Sequence, residues 1–125
     1  MSDEFLMNRM SNCKNNNQGS AKRVLCVCSA GLLRSPTAAL VLSSPPFNYN
    51  TRAAGLVAEF ALIPVDKVLL EWADEIVCME PGQAKELALR TKKKIVCLGI
   101  EDSFGYRNPK LMKLIAERYK KAQNE

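Results

Sequence analysis

Short apolar runs alternate with helix-start signals along this chain, and that alternation constrains its fold more than any other feature. Val24-Leu25-Cys26-Val27 is a continuous apolar run, as expected of a strand buried on both faces of a parallel sheet. Further strands are expected at Glu75 to Met79 and Lys94 to Leu98, and a more polar one from about Asn48 to Ala53, ending at Gly55. Helix signals lie between them. Ser35-Pro36 opens Thr37-Ala38-Ala39-Leu40-Val41-Leu42, with proline in a first turn where its missing donor costs nothing. Pro64 is expected to open a helix with the stripe Val65, Val68, Leu69 and Trp72, and another should run from about Pro81 to Leu89. The last helix has Asn108 as its cap, Pro109 in its first turn, and Leu111, Leu114, Ile115 and Tyr119 along one stripe. This order predicts an α/β fold, a three-layer sandwich with a parallel sheet and helices on both faces, in which ligands bind beyond the carboxyl ends of the strands. Cys28 and Asp102 both fall at that edge.

A chain of 125 residues, 47% of them hydrophobic, suits one domain. Residues 1–20 hold Asn8, Asn12, Asn15, Asn16, Asn17 and Ser20 among scattered apolar residues, so they read as a disordered tail before a domain at 21–125. No stretch approaches the roughly 18 apolar residues of a membrane span, and the first residues lack the apolar run of a secretory signal. The expected location is the cytoplasm, without membrane contact. Cys13, Cys26, Cys28, Cys78 and Cys97 form an odd set, read as reduced thiols. With no histidine, and no second pair beside Cys26-Val27-Cys28, no metal site is expected. The net charge of +5 sits largely at Lys92-Lys93-Lys94 and at Lys110, Lys113, Arg118, Lys120 and Lys121, read as solvated faces; no nucleic-acid recognition motif accompanies it.

The loop Cys28-Ser29-Ala30-Gly31-Leu32-Leu33-Arg34-Ser35 has a physical purpose. A cysteine ends a buried strand, and after five residues an arginine begins the first turn of a helix. Such a loop can close around a phosphate, with the backbone donors of Ser29 to Arg34 pointing inward, the helix dipole adding positive charge, and Arg34 gripping two oxygens. The same field favours the nucleophilic thiolate of Cys28. A Walker-type nucleotide loop is excluded, because no Gly-Lys-Ser/Thr follows the strand. The plain alternative for Cys28 is a buried structural thiol.

Here the sequence resembles the low-molecular-weight protein tyrosine phosphatase family, and more closely a short branch of predicted phosphatases within it. The likeness runs through Val24-Leu25-Cys26-Val27-Cys28, Leu33-Arg34-Ser35-Pro36-Thr37-Ala38, Ala53-Ala54-Gly55, Glu71-Trp72-Ala73-Asp74, Val77-Cys78-Met79-Glu80 and Ile100-Glu101-Asp102. The resemblance implies a four-stranded parallel sheet in the order 2-1-3-4, no metal or other cofactor, and a phosphocysteine intermediate. It implies hydrolysis of phosphate monoesters, with protein phosphotyrosine as the first expectation and inorganic phosphate as the product. Asp102-Ser103-Phe104 is similar to the family's Asp-Pro-Tyr segment, so Asp102 is expected to protonate the leaving group and then activate water. Ser35 is implied to stabilise the sulfur when it leaves, although a serine there also suits a helix cap. Phe104 and Tyr106 are candidate pocket walls or plain packing.

Three departures from the better-known branch stand out. Gly31 replaces an asparagine, Leu33 a second cysteine, and Ala53 a supporting serine. Glycine reaches a left-handed loop conformation without a side-chain anchor. Cys26 is a poor substitute for the lost cysteine, because an i, i+2 bridge to Cys28 would be strained, so a core thiol is expected. The segment from Gly55 to Pro64 is short, with Phe60 its one aromatic residue. Two alternatives remain open. One is an arsenate reductase-like enzyme relaying electrons through Cys78 and Cys97, which sit 19 residues apart in expected strands. The other is a phosphate- or phosphoprotein-binding module whose catalysis has faded.

Overall fold

Four strands and four helices alternate in the computed structural model, which describes residues 21–29, 34–57, 61, 63–101 and 108–124. In chain order they are β1 (Arg23–Cys28), α1 (Arg34–Ser43), β2 (Asn50–Gly55), α2 (Lys67–Trp72), β3 (Glu75–Cys78), α3 (Pro81–Arg90), β4 (Lys94–Cys97) and α4 (Pro109–Gln123). The expected tail at 1–20 lies outside the described residues. All four strands are parallel and stand in the order β2-β1-β3-β4, the arrangement implied by the resemblance.

β1 pairs on both edges, with Cys26 opposite Ala53 on one side and Val77 on the other. Its side chains are buried from Val24 to Cys28, which explains an unbroken apolar run instead of an alternating one. Val24, Cys26 and Cys28 face α1 and α4, where they pack with Leu42, Leu111 and Ile115. Leu25 and Val27 face α2 and α3, where they meet Leu69, Leu70 and Leu87. Each large side chain buried in these layers contributes roughly 1.5–3 kcal/mol, which offsets the ordering of the backbone. Cys26 is wholly buried, as expected of a core thiol.

Two expected boundaries move. β2 begins at Asn50, because Asn48 adopts a left-handed conformation with φ 55° and Tyr49 donates its N–H to the Leu42 carbonyl. Pro64 does not open α2; it makes an isolated bridge to Gly55, and the helix starts three residues later. Asp66 caps it, its carboxylate accepting from the Leu69 N–H at 2.8 Å. The shift rotates the buried face onto Leu69 and Leu70 and leaves Val68 68% exposed, whereas the periodic stripe placed Val68 inside. α1 starts at Arg34, so Pro36 is still within the first turn, and α4 takes its expected cap from Asn108. Among the described residues, no helix is long and apolar enough to cross a membrane.

At the amino edge of the sheet Glu75 is 1% exposed and accepts from the Tyr119 hydroxyl at 2.7 Å and the Lys22 ammonium at 3.0 Å. Lys94 approaches the same carboxylate at 3.5 Å. A charge buried this far is tolerable only when paired and hydrogen-bonded, and here one carboxylate ties β3 to α4 and to the entry of β1.

Candidate active site

Cys28 is the last residue of β1 and is 3% exposed. The parallel ladder continues just past it, with the N–H groups of Leu56 and Val57 donating to the carbonyls of Cys28 and Ser29, both at 2.9 Å. That pairing holds the thiol at the carboxyl edge, on the α1 face of the sheet. Ser35, the second residue of α1, brings its hydroxyl to 3.2 Å from the Cys28 sulfur and 3.4 Å from the Ala54 carbonyl. A hydroxyl has one proton to donate, so the contacts fit two states. With a thiol, the sulfur donates to Ser35 and Ser35 to Ala54; with a thiolate, Ser35 turns its proton to the sulfur. The hydroxyl thus faces the Cys28 sulfur from the first turn of α1.

Arg34 opens the helix and is 3% exposed. Its Nη1 donates to the Ile100 carbonyl at 2.8 Å and lies 3.2 Å from Glu80 Oε1. Both partners come from the carboxyl ends of β3 and β4. Ile100 is positioned by its own N–H, which donates to Met79 at 2.7 Å, after a turn through Gly99 at φ 67°. A left-handed residue there favours glycine, because other side chains crowd the following carbonyl. Burying a guanidinium is costly unless it is paired, and the carbonyl and carboxylate together offset that cost.

A third support is Gln83, 6% exposed in the first turn of α3. Its Oε1 accepts from the N–H groups of Met79 and Glu80 at 2.9 and 3.0 Å, and its Nε2 donates to the Ser29 hydroxyl at 3.2 Å. Ser29, just after β1, is thus tied to the β3–α3 turn. Sequence reasoning missed both Glu80 and Gln83. The one local signal was a polar residue on the first turn of a proline-opened helix directly after a buried strand.

Of the expected site residues, the structure brings together Cys28, Ser29, Arg34 and Ser35. Ala30, Gly31, Leu32, Leu33 and Asp102 lie outside the described residues, as do Phe60, Phe104 and Tyr106. Ala53, where a supporting serine was absent, is a buried core methyl on the Cys28 face. Cys78 and Cys97 are paired with each other across β3 and β4, and Cys78 packs in the layer beneath α2 and α3. Cys28 belongs to the opposite layer, so the sheet stands between it and Cys78.

In comparisons of sequence, the chain matches no family model and no curated protein. Solved structures do match. Wzb of Vibrio vulnificus, in complex with benzylphosphonate, superposes with a TM-score of 0.65 at 20% identity, over 85% of this chain and 100% of that one. The YwlE arginine phosphatase from Geobacillus stearothermophilus gives 0.61 at 22% identity, over 82% and 94%. A YwlE mutant from Bacillus subtilis gives 0.59 at 19% identity, over 82% and 95%. At these identities the likeness is one of fold, a four-stranded parallel sheet between layers of helices.

Proposed function

We propose that this chain is a cysteine-dependent phosphatase acting on phosphorylated protein or small phosphate monoesters. The observation that carries the reading is Cys28 at the sheet's carboxyl edge, 3.2 Å from Ser35, with the buried Arg34 opening the same helix. In this mechanism the Cys28 thiolate attacks phosphorus while Arg34 and the loop N–H groups of Ser29 to Arg34 hold the phosphate oxygens. The sulfur–phosphorus bond forms as the ester P–O bond breaks, and Asp102 gives the leaving oxygen its proton. Asp102 then takes a proton from water as the water attacks phosphorus, releasing inorganic phosphate and returning the electron pair to sulfur. Ser35 steadies that returning thiolate.

Phosphotyrosine is the proposed substrate group. Benzylphosphonate, held by the Vibrio neighbour, carries an aromatic ring and a phosphonate as phosphotyrosine carries a ring and a phosphate. The arginine phosphatase among the neighbours makes phosphoarginine the comparator. An arsenate relay through Cys78 and Cys97 is disfavoured by their place on the sheet: Cys78 belongs to the layer opposite Cys28. The test is hydrolysis of para-nitrophenyl phosphate, phosphotyrosine peptides and phosphoarginine, with Cys28→Ser and Asp102→Asn beside the wild type and vanadate as inhibitor. Turnover abolished by the first substitution and reduced by the second is expected. Tight phosphate binding without turnover would replace the enzyme reading with a binding module.

A further inference from the structure

Cys78 and Cys97 are the final residues of β3 and β4 and stand directly opposite each other in the parallel register. Register partners share a sheet face, and adjacent strands run about 4.8 Å apart, inside the roughly 4.4–6.8 Å that a disulfide spans between Cα atoms. The two thiols end neighbouring strands at the same level of the sheet. They differ in access, since Cys78 is buried and Cys97 exposed. Burial and the neighbouring Cys97 push the Cys78 thiol up to about 12, so Cys78 keeps its proton while Cys97 faces solvent. Cys97 also lines an edge cavity of about 360 Å³ with Leu98, Arg118 and Lys121.

We propose that Cys78 and Cys97 form a redox-active dithiol, oxidised by a low-molecular-weight disulfide, and that their bridge weakens the clamp on Arg34. The exchange is balanced. The Cys97 thiolate attacks one sulfur of the incoming disulfide, breaking its S–S bond, forming a mixed disulfide and releasing one thiolate. Cys78 then gives up its proton and attacks the Cys97 sulfur, expelling the second thiolate. Two protein thiols are oxidised, the small disulfide is reduced to two thiols, and the two protons pass to those products.

The coupling to Arg34 rests on the phosphatase reading, but its route is structural. The Cys78 carbonyl accepts from the Leu98 N–H at 2.9 Å, and the Cys78 thiol donates to the Glu80 carbonyl at 3.8 Å. Glu80 and Ile100, which hold Arg34, are each two or three residues along from these cysteines. A bridge swings the Cys78 sulfur from Glu80 towards β4 and changes both segments at once.

The experiment treats the wild type and Cys97→Ala with oxidised glutathione, maps the linked peptides without reduction, and follows para-nitrophenyl phosphate turnover. A Cys78–Cys97 link is expected in the wild type, with turnover falling several-fold and restored by dithiothreitol, while the variant keeps its rate. A glutathione adduct that persists on Cys97, or both thiols untouched after Cys28 has reacted, overturns the pair. Equal loss of turnover in the variant assigns the effect to Cys28 and overturns the switch. If the wild type is inactive before treatment, the phosphatase reading fails separately. The peptide map still decides the pair, and inorganic phosphate binding before and after oxidation decides the switch.

Discussion

Ser35 shows how much one hydroxyl decides at the residue scale. Its hydroxyl touches both the Cys28 sulfur and the Ala54 carbonyl, a backbone acceptor that can take its proton in turn. A hydrogen bond to a charged group is worth about 1.5–3 kcal/mol, so Ser35→Ala should slow turnover by at least about tenfold. Ser35→Thr, which keeps a hydroxyl, should recover part of the rate. Steady-state and single-turnover kinetics on para-nitrophenyl phosphate would read this, and an unchanged rate in Ser35→Ala would remove the hydroxyl from the mechanism. Cys28, Arg34 and Ser35 were legible in the sequence because seven residues of local spacing carry them from a buried strand into a helix. Glu80 and Gln83 were not legible, because nothing in their own segment says that Arg34 and Ser29 lie against it.

Among the elements, α2 is instructive. Its apolar periodicity was visible, yet the start assigned to Pro64 put Val68 on the wrong face. Asp66 decides the boundary, since a carboxylate that accepts from the third residue on satisfies an otherwise unpaired donor. Asp66→Ala should lower the unfolding free energy by about 1 kcal/mol. Val68→Lys, on an exposed face, should leave it within about 0.5 kcal/mol, where a core valine would be lost at several times that cost. Urea unfolding of the two variants separates the assignments: a large loss in Val68→Lys would return that residue to the core. α4 was read correctly because its cap, its proline and its stripe all point the same way. Consistency among independent local signals is what made it secure.

For the whole molecule, the two edges of the sheet have divided tasks. The carboxyl edge gathers Cys28, Ser35 and Arg34; the amino edge gathers Glu75, Tyr119 and Lys22. Glu75→Ala leaves the buried Tyr119 hydroxyl without its acceptor and should cost about 3 kcal/mol of stability. Glu75→Gln should cost less, and both should leave turnover per folded molecule near the wild-type rate. The same cluster has a pH signature. Burial, then the bond to Glu75, raises the Tyr119 hydroxyl above its ordinary value. The folded chain therefore holds that proton more tightly than the unfolded one. This contribution is complete below the usual tyrosine value of about 10 and is lost as the pH rises beyond it. Urea midpoints measured from neutral pH upward should fall steeply past that point in the wild type and less so in Tyr119→Phe.

By itself the sequence determined the alternation of strand and helix, the parallel sheet and the place of Cys28 at its carboxyl edge, because hydrophobic period, caps and strand-to-helix spacing are local properties. The order β2-β1-β3-β4 was implied by resemblance instead, and the pairing across strands confirms it. Only the tertiary structure decided that Arg34 is clamped by Glu80 and Ile100, that Gln83 holds Ser29, and that Cys78 lies beside Cys97 on the face away from Cys28. Those contacts join residues from 19 to 66 positions apart. They follow from the register in which strands pair, which no single segment of the chain encodes.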